Sequence, residues 1–493
     1  MPLVHRSLGD KYQISSYSNL IPTPITNISA ISTDDGVINL TWSGGEGYMP
    51  KYTYSVYNNT GSTIVSPTAY TTSGTNPTTI TLTDTTSNSY SVTITSNVLD
   101  GSGNGVSSAI TTFSVITANI TDINGTSILL PYTYPPVISN YGNNWFANSL
   151  PSSINYEKCA MSANGQIMVV CEYNVGIWVS SNYGSTWTKT YTTGDTYNVP
   201  VCSSSGKYIY ITANSGNLYY SSNYGSSFTI SATTTNSTPA PVISYNEQYV
   251  FVYNSTALNY SSNYGSSFTT TAILTGGVGG NYGLSYTGGI QIYNNGTTLY
   301  ISKDYGSTWT SSLSGITGLV QGGYNGTKIS ADGKYILSYG NNGSTYTIYV
   351  GSWTSGVNYN WTTYVAATSI SSIKLSFTGQ YMMAFSTNAI YYSSNYGVSW
   401  SNSTITIPSG YTIFGGFCPT QSLDGKYVVI SIRGNSSQLC LLFQSKDYGA
   451  TFIQTYSAAT VGSGNIYQAI SMDGYYQLEI MQNVSGNSYC SSG

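Results

Sequence analysis

Charge is what this sequence has least of. Lysine, arginine, aspartate and glutamate make up 6% of its 493 residues, with 13 basic against 17 acidic side chains and a net charge of -4. A nucleic-acid partner needs a basic footprint that displaces counterions from phosphates, and so little basic charge argues against one. Only two arginines occur, Arg6 and Arg433, and the sole histidine is His5. Histidine-ligated metal sites and histidine general bases are thereby excluded from everything beyond the first few residues. The six cysteines, Cys159, Cys171, Cys202, Cys418, Cys440 and Cys490, show no Cys-x-x-Cys spacing, so buried thiols are expected in preference to a zinc site or a disulfide framework. No apolar run of about 18 residues is present, and Met1-Pro2-Leu3-Val4-His5-Arg6 lacks the apolar stretch of a secretory signal. A soluble, unprocessed chain with no membrane insertion and no cofactor is the expectation.

What fills the space is tyrosine, glycine, serine, threonine and asparagine, with 50 tyrosines and 52 glycines. The apolar share of 40% is enough for real cores, and the length leaves room for more than one domain. The surface must therefore be polar through hydroxyls and amides, as in an adhesive or exposed coat protein. Sequons such as those at Asn58, Asn236, Asn325 and Asn483 follow from this composition.

One stretch recurs at a near-constant interval: Ser302-Lys303-Asp304-Tyr305-Gly306-Ser307-Thr308-Trp309. Copies begin at Ser181, Ser222, Ser262, Ser394 and Ser445, and a seventh, Ser139-Asn140-Tyr141-Gly142-Asn143-Asn144-Trp145, stands alone upstream. The Asp or Asn accepts backbone N–H bonds within a turn, the Gly takes positive φ, and the aromatic opens the next strand. These residues resemble the Asp-box, or bacterial neuraminidase repeat, family of sialidase, sortilin-like and photosystem-assembly β-propellers, over roughly residues 137 to 493. The resemblance implies a propeller in which the motif itself is structural.

A second marker alternates with the first: Ser162-Ala163-Asn164-Gly165, Ser203-Ser204-Ser205-Gly206, Ser285-Tyr286-Thr287-Gly288, Ser330-Ala331-Asp332-Gly333, Ser376-Phe377-Thr378-Gly379, Ser422-Leu423-Asp424-Gly425 and Ser471-Met472-Asp473-Gly474, with Ser244-Tyr245-Asn246-Glu247 a degenerate eighth. Intervals of roughly 40 to 50 residues are those of four-stranded blades. The fifth blade keeps no box, only Tyr349-Val350-Gly351 and Trp361-Thr362. Eight turns against seven boxes fit a ring in which Ile470 to Gly493 supply three strands of the last blade and Trp145-Phe146-Ala147 the fourth. Such closure leaves no open sheet edge. The fold expected is all-β, with eight blades favoured over seven and closure by both termini.

Upstream, residues 1–21 show no periodicity and read as an anchoring arm. From 22 to 117 short alternating runs such as Ile38-Asn39-Leu40-Thr41-Trp42 and Tyr90-Ser91-Val92-Thr93-Ile94 predict a β-sandwich. Its leading prolines, Trp42, and Leu82 followed by Tyr90 resemble a fibronectin type III domain, which implies a spacer. Residues 118–136, punctuated by Pro131, Pro135 and Pro136, read as a stiff linker, and 137–493 as the propeller.

Strand alternation puts both repeated motifs on one face of the propeller and the remaining loops on the other, where the resemblance implies the ligand site. A sialidase needs an arginine cluster to grip a carboxylate, and Arg433 is the only arginine in this region. Glu172 and Asp195 are the acids available to a two-carboxylate glycosidase, and both read as solvated loop residues. The loops of the second face instead offer Tyr191, Tyr197, Tyr282, Tyr324, Tyr359, Asn360, Tyr411 and Tyr467, which with Arg433 form a candidate set for stacking on sugars. The expectation is a non-enzymatic attachment or fibre protein. It binds a glycan or protein receptor on a cell surface and docks to a capsid or surface protein through residues 1–21. Composition resembles virion proteins of large DNA viruses, which implies the virion surface. A cell-surface adhesin, a glycoside hydrolase and a photosystem-factor-like assembly role are the alternatives.

Overall fold

The computed structural model describes backbone over strands between residues 25 and 492, and side chains mainly within 122–128 and 150–481. Residues 1–24 and many loops, among them 234–240, 272–281, 312–325, 413–418, 435–439, 459–465 and 482–487, lie outside the described residues. The expected arm falls there, as do residues 139–144 of the upstream box. Every element among the described residues is a strand.

The chain divides into two compact units, one of residues 1–119 with 129–137, the other of 120–128 with 138–493. In the first, Ile25–Asp34, Val37–Gly44 and Thr78–Thr81 form one antiparallel sheet in that order. Thr133–Pro136, Gly105–Val115, Tyr90–Leu99, Pro50–Asn58 and Thr63–Tyr70 form a second.

The second unit is a succession of sheets, six of which are antiparallel and take their four strands in sequence order. The first comprises Tyr156–Met161, Met168–Glu172, Gly176–Ser180 and Thr188–Thr192. Five more four-stranded sheets follow, opening at Tyr197, Val242, Tyr282, Thr327 and Ile370. A seventh is built around Val428–Gly434, Cys440–Ser445 and Thr451–Ala458. In the last, Ile466–Ile470, Tyr476–Met481 and Ser488–Ser492 are completed by Trp145–Ala147, with Phe146 opposite Cys490.

Second strands such as Met168–Glu172, Ile209–Ala213 and Met382–Ser386 are buried at every position, whereas the outermost Thr188–Thr192 and Thr310–Ser311 are not. A strand sandwiched between neighbouring sheets must be apolar on both faces. The core is accordingly a series of layers between sheets; one joins Ile167, Val169, Cys171 and Val179 of the first sheet to Tyr197, Ile209 and Ile211 of the second. Cys159, Cys171 and Cys202 remain thiols. In the fifth sheet a tight hairpin, Tyr346–Ser355 to Asn358–Ala366 around Gly356, takes the place of the box.

The expected linker over 118–136 is corrected by the structure. Ile120–Thr121 pairs with Ser127–Ile128, and the Asp122 carboxylate accepts the N–H groups of Asn124 (2.9 Å) and Thr126 (2.8 Å). The turn this makes drives Ile123 into a core with Ile290, Ile292, Leu299, Ile301 and Ile336.

Candidate functional site

The inner turns build a ring. In each, the serine hydroxyl accepts a backbone N–H five residues on, and where an Asx stands two residues on it donates to that side chain: Ile167 N to Ser162 Oγ is 3.0 Å, and Ser162 Oγ to Asn164 Oδ1 is 2.8 Å. The same pair of bonds recurs at Ser330 with Asp332, Ser422 with Asp424 and Ser471 with Asp473. The residue after each serine then bonds to its counterpart in the next sheet. Tyr286 donates to Ala331, Ala331 to Phe377, Phe377 to Leu423, Leu423 to Met472, Met472 to Ala163 and Ala163 to Ser204, all at 2.7 to 2.9 Å between backbone atoms. The circle is completed differently at the degenerate turn. Ser204 Oγ donates to Tyr245 O (3.2 Å), Asn246 N donates to Tyr286 O (3.2 Å), and the Glu247 carboxylate accepts the N–H and hydroxyl of Ser205. Glu247 holds φ 66 where the other turns have glycine.

A cavity of about 460 Å³ lies within this ring. Every sheet's first strand contributes to its wall: Met161, Val201, Ile243, Leu284, Ile329, Leu375, Gln421 and Ile470, with Cys202 and Val242 beside them. At the ring Tyr245, Tyr286 and Phe377 also line it, and they meet one another. Tyr245 stacks on Tyr286 at 5.5 Å, and Phe377 stands edge-on to both at 5.5 and 5.8 Å. Contact between the third and sixth sheets spans the ring, so these three rings plug it. Burial pushes the Tyr286 phenol up, and nearby Glu247 adds to the shift. The same two causes, burial first, raise the Cys202 thiol in the cavity wall. Neither group ionises readily, so the site offers dispersion and aromatic stacking. Among the described residues no cluster of metal-ligating side chains occurs.

The boxes form a second, outer set of latches. In the first, Ser180 Oγ accepts Gly184 N (2.9 Å), Asn182 Oδ1 accepts Thr186 N (2.9 Å), and Trp187 Nε1 donates to Gly184 O (3.1 Å). The tyrosine between takes positive φ, 60° at Tyr183, and donates its N–H to Gln166 O beside the inner turn of its own sheet. In five of the boxes its ring stacks on a tyrosine of the preceding sheet: Tyr183 on Tyr476 (4.5 Å), Tyr264 on Tyr208 (5.0 Å), Tyr305 on Tyr249 (4.8 Å), Tyr396 on Tyr335 (4.6 Å) and Tyr448 on Tyr381 (3.8 Å); before Tyr224 the corresponding residue is Ile167.

The candidate binding set does not converge on one site. Tyr197 is fully buried against Tyr219, Tyr282 lies in a core with Phe251 and Tyr293, and Tyr359 is buried with its hydroxyl on Gly333 O at 2.5 Å. These three are corrected from loop ligands to packing residues. Tyr191 is half-buried against Tyr219 and Phe228, Tyr467 is half-buried with Lys158 Nζ 5.6 Å from its ring centre, and Asn360 is exposed on a strand. Tyr411 and Arg433 stand on paired strands at Gly434 and Thr412, their side chains outside the described residues, as is all of Tyr324. Glu172 is likewise no solvated loop acid. It is buried, accepts Trp178 Nε1 (2.9 Å) and pairs with Lys189 (2.7 Å). Asp195 is half-buried and engaged by the Tyr219 hydroxyl (2.8 Å) and by Ser215. The residues the sequence reading missed are Tyr245, Tyr286 and Phe377. Their signal was present, because only these three inner turns carry an aromatic after the serine.

No protein-family model matches the sequence, and no curated protein matches it. Solved structures do match. The C-terminal WD40 domain of Sif2 aligns with a TM-score of 0.53 over 69% of this chain and 96% of that one, at 12% identity. The Dos1 propeller aligns at 0.49 over 71% and 94%, at 11% identity. YCF48 bound to D1 peptide aligns at 0.41 over 62% and 95%, at 13% identity. Likeness at such identities concerns fold alone, and the Sif2 domain makes that fold a β-propeller.

Proposed function

We propose that the chain is a non-enzymatic attachment protein of a virion surface. In this reading residues 1–21 anchor it to a capsid or surface protein, residues 22–117 form a fibronectin type III-like spacer, and an eight-bladed Asp-box propeller binds a glycan or protein receptor. The sheet orders of the first unit, with its first, second and fifth strands in one sheet and its third, fourth, sixth and seventh in the other, support the spacer. The pairing of Trp145–Ala147 with Ser488–Ser492 supports a ring closed by both ends.

The observation that carries the binding role is the state of the two acids a hydrolase would use. Glu172 is held by Trp178 and Lys189, and Asp195 by Tyr219 and Ser215, so each already serves the scaffold. Half-buried Tyr245 and Tyr286 at the ring supply aromatic surface for stacking. The test pairs a glycan array and cell-binding assay with a panel of chromogenic glycosides. Binding without turnover is expected, and removal of residues 1–21 should leave binding intact while abolishing incorporation into particles. Turnover that disappears in Glu172→Gln or Asp195→Asn would overturn the reading.

A further inference from the structure

Each stacked box tyrosine covers the residue that follows the inner turn of the preceding sheet, namely Tyr208, Tyr249, Tyr335, Tyr381 or Tyr476. Between the fourth and fifth sheets that arrangement is broken twice. The residue after the fourth sheet's turn is Ile290, and the fifth sheet has a hairpin where its box would be. Trp353 N donates to Lys334 O at 2.8 Å and so restores the backbone bond a box tyrosine would make. Ile290 is covered by Ile123, which arrives from a part of the chain outside the repeats.

The way Ile123 is held is that of a bound peptide. Its N–H donates to Asp332 O (2.9 Å), and its carbonyl accepts Lys303 Nζ (3.3 Å). On either side Asp122 accepts the Thr287 hydroxyl (3.3 Å), and Asn124 Nδ2 donates to Lys303 O (2.8 Å). Both backbone groups of one residue, an apolar socket for its side chain and a polar partner for each neighbour are thus supplied by the fourth and fifth sheets.

We propose that this seat is a peptide-docking site, that residues 120–128 are its resident ligand in cis, and that their Asp-Ile-Asn-Gly turn replaces the missing box as the latch between the two sheets. A tethered segment acts at an effective concentration of roughly millimolar, so the seat stays filled even where a free peptide would bind weakly. The site becomes available to an added peptide only when the resident turn is disabled.

The test uses the full chain carrying Ile123→Asp and a synthetic peptide of residues 118–130. Hydrogen exchange at Ile123 and across 330–335 should rise by roughly tenfold or more, as expected when a local latch opens without global unfolding. The peptide should restore protection saturably, with half-effect near millimolar, while a peptide carrying Ile123→Asp should not. A second measurement does not depend on that variant. Asn124→Ala removes only the side-chain bond to Lys303 O and leaves Ile123 in place, so in an otherwise unaltered chain it should raise exchange at Ile123 several-fold, and the added peptide should again restore protection. Unchanged exchange in Ile123→Asp or in Asn124→Ala, or equal effects of the two peptides, would each overturn the proposal.

Discussion

The inner turns and the outer boxes use one device in two surroundings. Both place an Asx two residues after a serine whose hydroxyl donates to it, as at Ser471 with Asp473 and Ser302 with Asp304. Burial dominates at the inner ring. It raises the carboxyls of Asp332 and Asp473 above their usual range, despite hydrogen bonds from Ser330 and Ser471 and from the backbone. At the box of the fourth sheet burial also pulls Asp304 upward, but the hydroxyl and N–H of Thr308, with Ser302, outweigh it and hold the group low. The same local geometry therefore carries charge well at the rim and badly at the axis. Asn164, Asn246, Thr287 and Thr378 stand at the Asx position of other inner turns, where a neutral side chain avoids that cost.

The sharpest way to break the parallel is through the backbone, where the two motifs agree. Gly206 of an inner turn has φ 80, and a Cβ there would lie 2.5 Å from Ile167 Cγ1; Gly225 of a box has φ 77, and its Cβ would lie 2.8 Å from Val179 Cγ2. Both press on the preceding sheet, so Gly206→Ala and Gly225→Ala should each cost about 3 kcal/mol in urea unfolding of the propeller. Gly125→Ala, at φ 82 with nothing within 4 Å, isolates the backbone term and should cost about 1 kcal/mol.

Removing the serine separates the motifs. Ser471→Ala strips a buried carboxylate of its hydroxyl donor and orphans Tyr476 N, and should cost about 2 to 3 kcal/mol. In Ser302→Ala, Asp304 keeps both bonds from Thr308, and the loss should be about 1 kcal/mol. Thermal melts of the two variants side by side would check the order.

The smallest effect is the most diagnostic, because its sign depends on pH. A carboxyl raised in the folded state contributes stability that is fully present below the ordinary value near 4 and is lost as pH climbs through the folded value. Asp473→Asn should therefore stabilise by about 1 kcal/mol at neutral pH and give no gain in acid. For Asp304, held low, the contribution is present above the ordinary value and lost as pH falls through the folded one. Asp304→Asn should stay within about 0.5 kcal/mol at neutral pH, since the box at Asn182 makes the equivalent bonds through its amide. Melting curves from pH 3 to 8, a range bracketing the carboxylate values, read both.

The propeller was legible in the sequence because its turns use residues chosen for backbone geometry, which recur whatever packs around them. The hairpin of the fifth sheet was also visible as a missing box. Side-chain destinations were not. Tyr197 and Tyr282 open the first strands of their sheets, where a tyrosine at a strand start reads the same in sequence whether it packs against the neighbouring sheet or faces solvent. Glu172 looked like a loop acid because its partners, Trp178 and Lys189, lie on the strands across the hairpin. Nothing in residues 120–128 matches the repeats they dock against, so Ile123 could be recognised only once Ile290 was seen to lack a covering tyrosine.

The last sheet sets a timetable for the molecule. Trp145–Ala147 leaves the ribosome before any other strand of the ring, yet the strand it pairs with, Ser488–Ser492, emerges last. Pairing across so long a stretch of chain is slow compared with the hairpins between, each of which joins neighbours in sequence. During synthesis the hairpins can form one after another while Trp145–Ala147 waits with an unpaired edge open to other chains. A pause late in translation should thus be more damaging than one midway, since nearly all of the ring is then folded and still open.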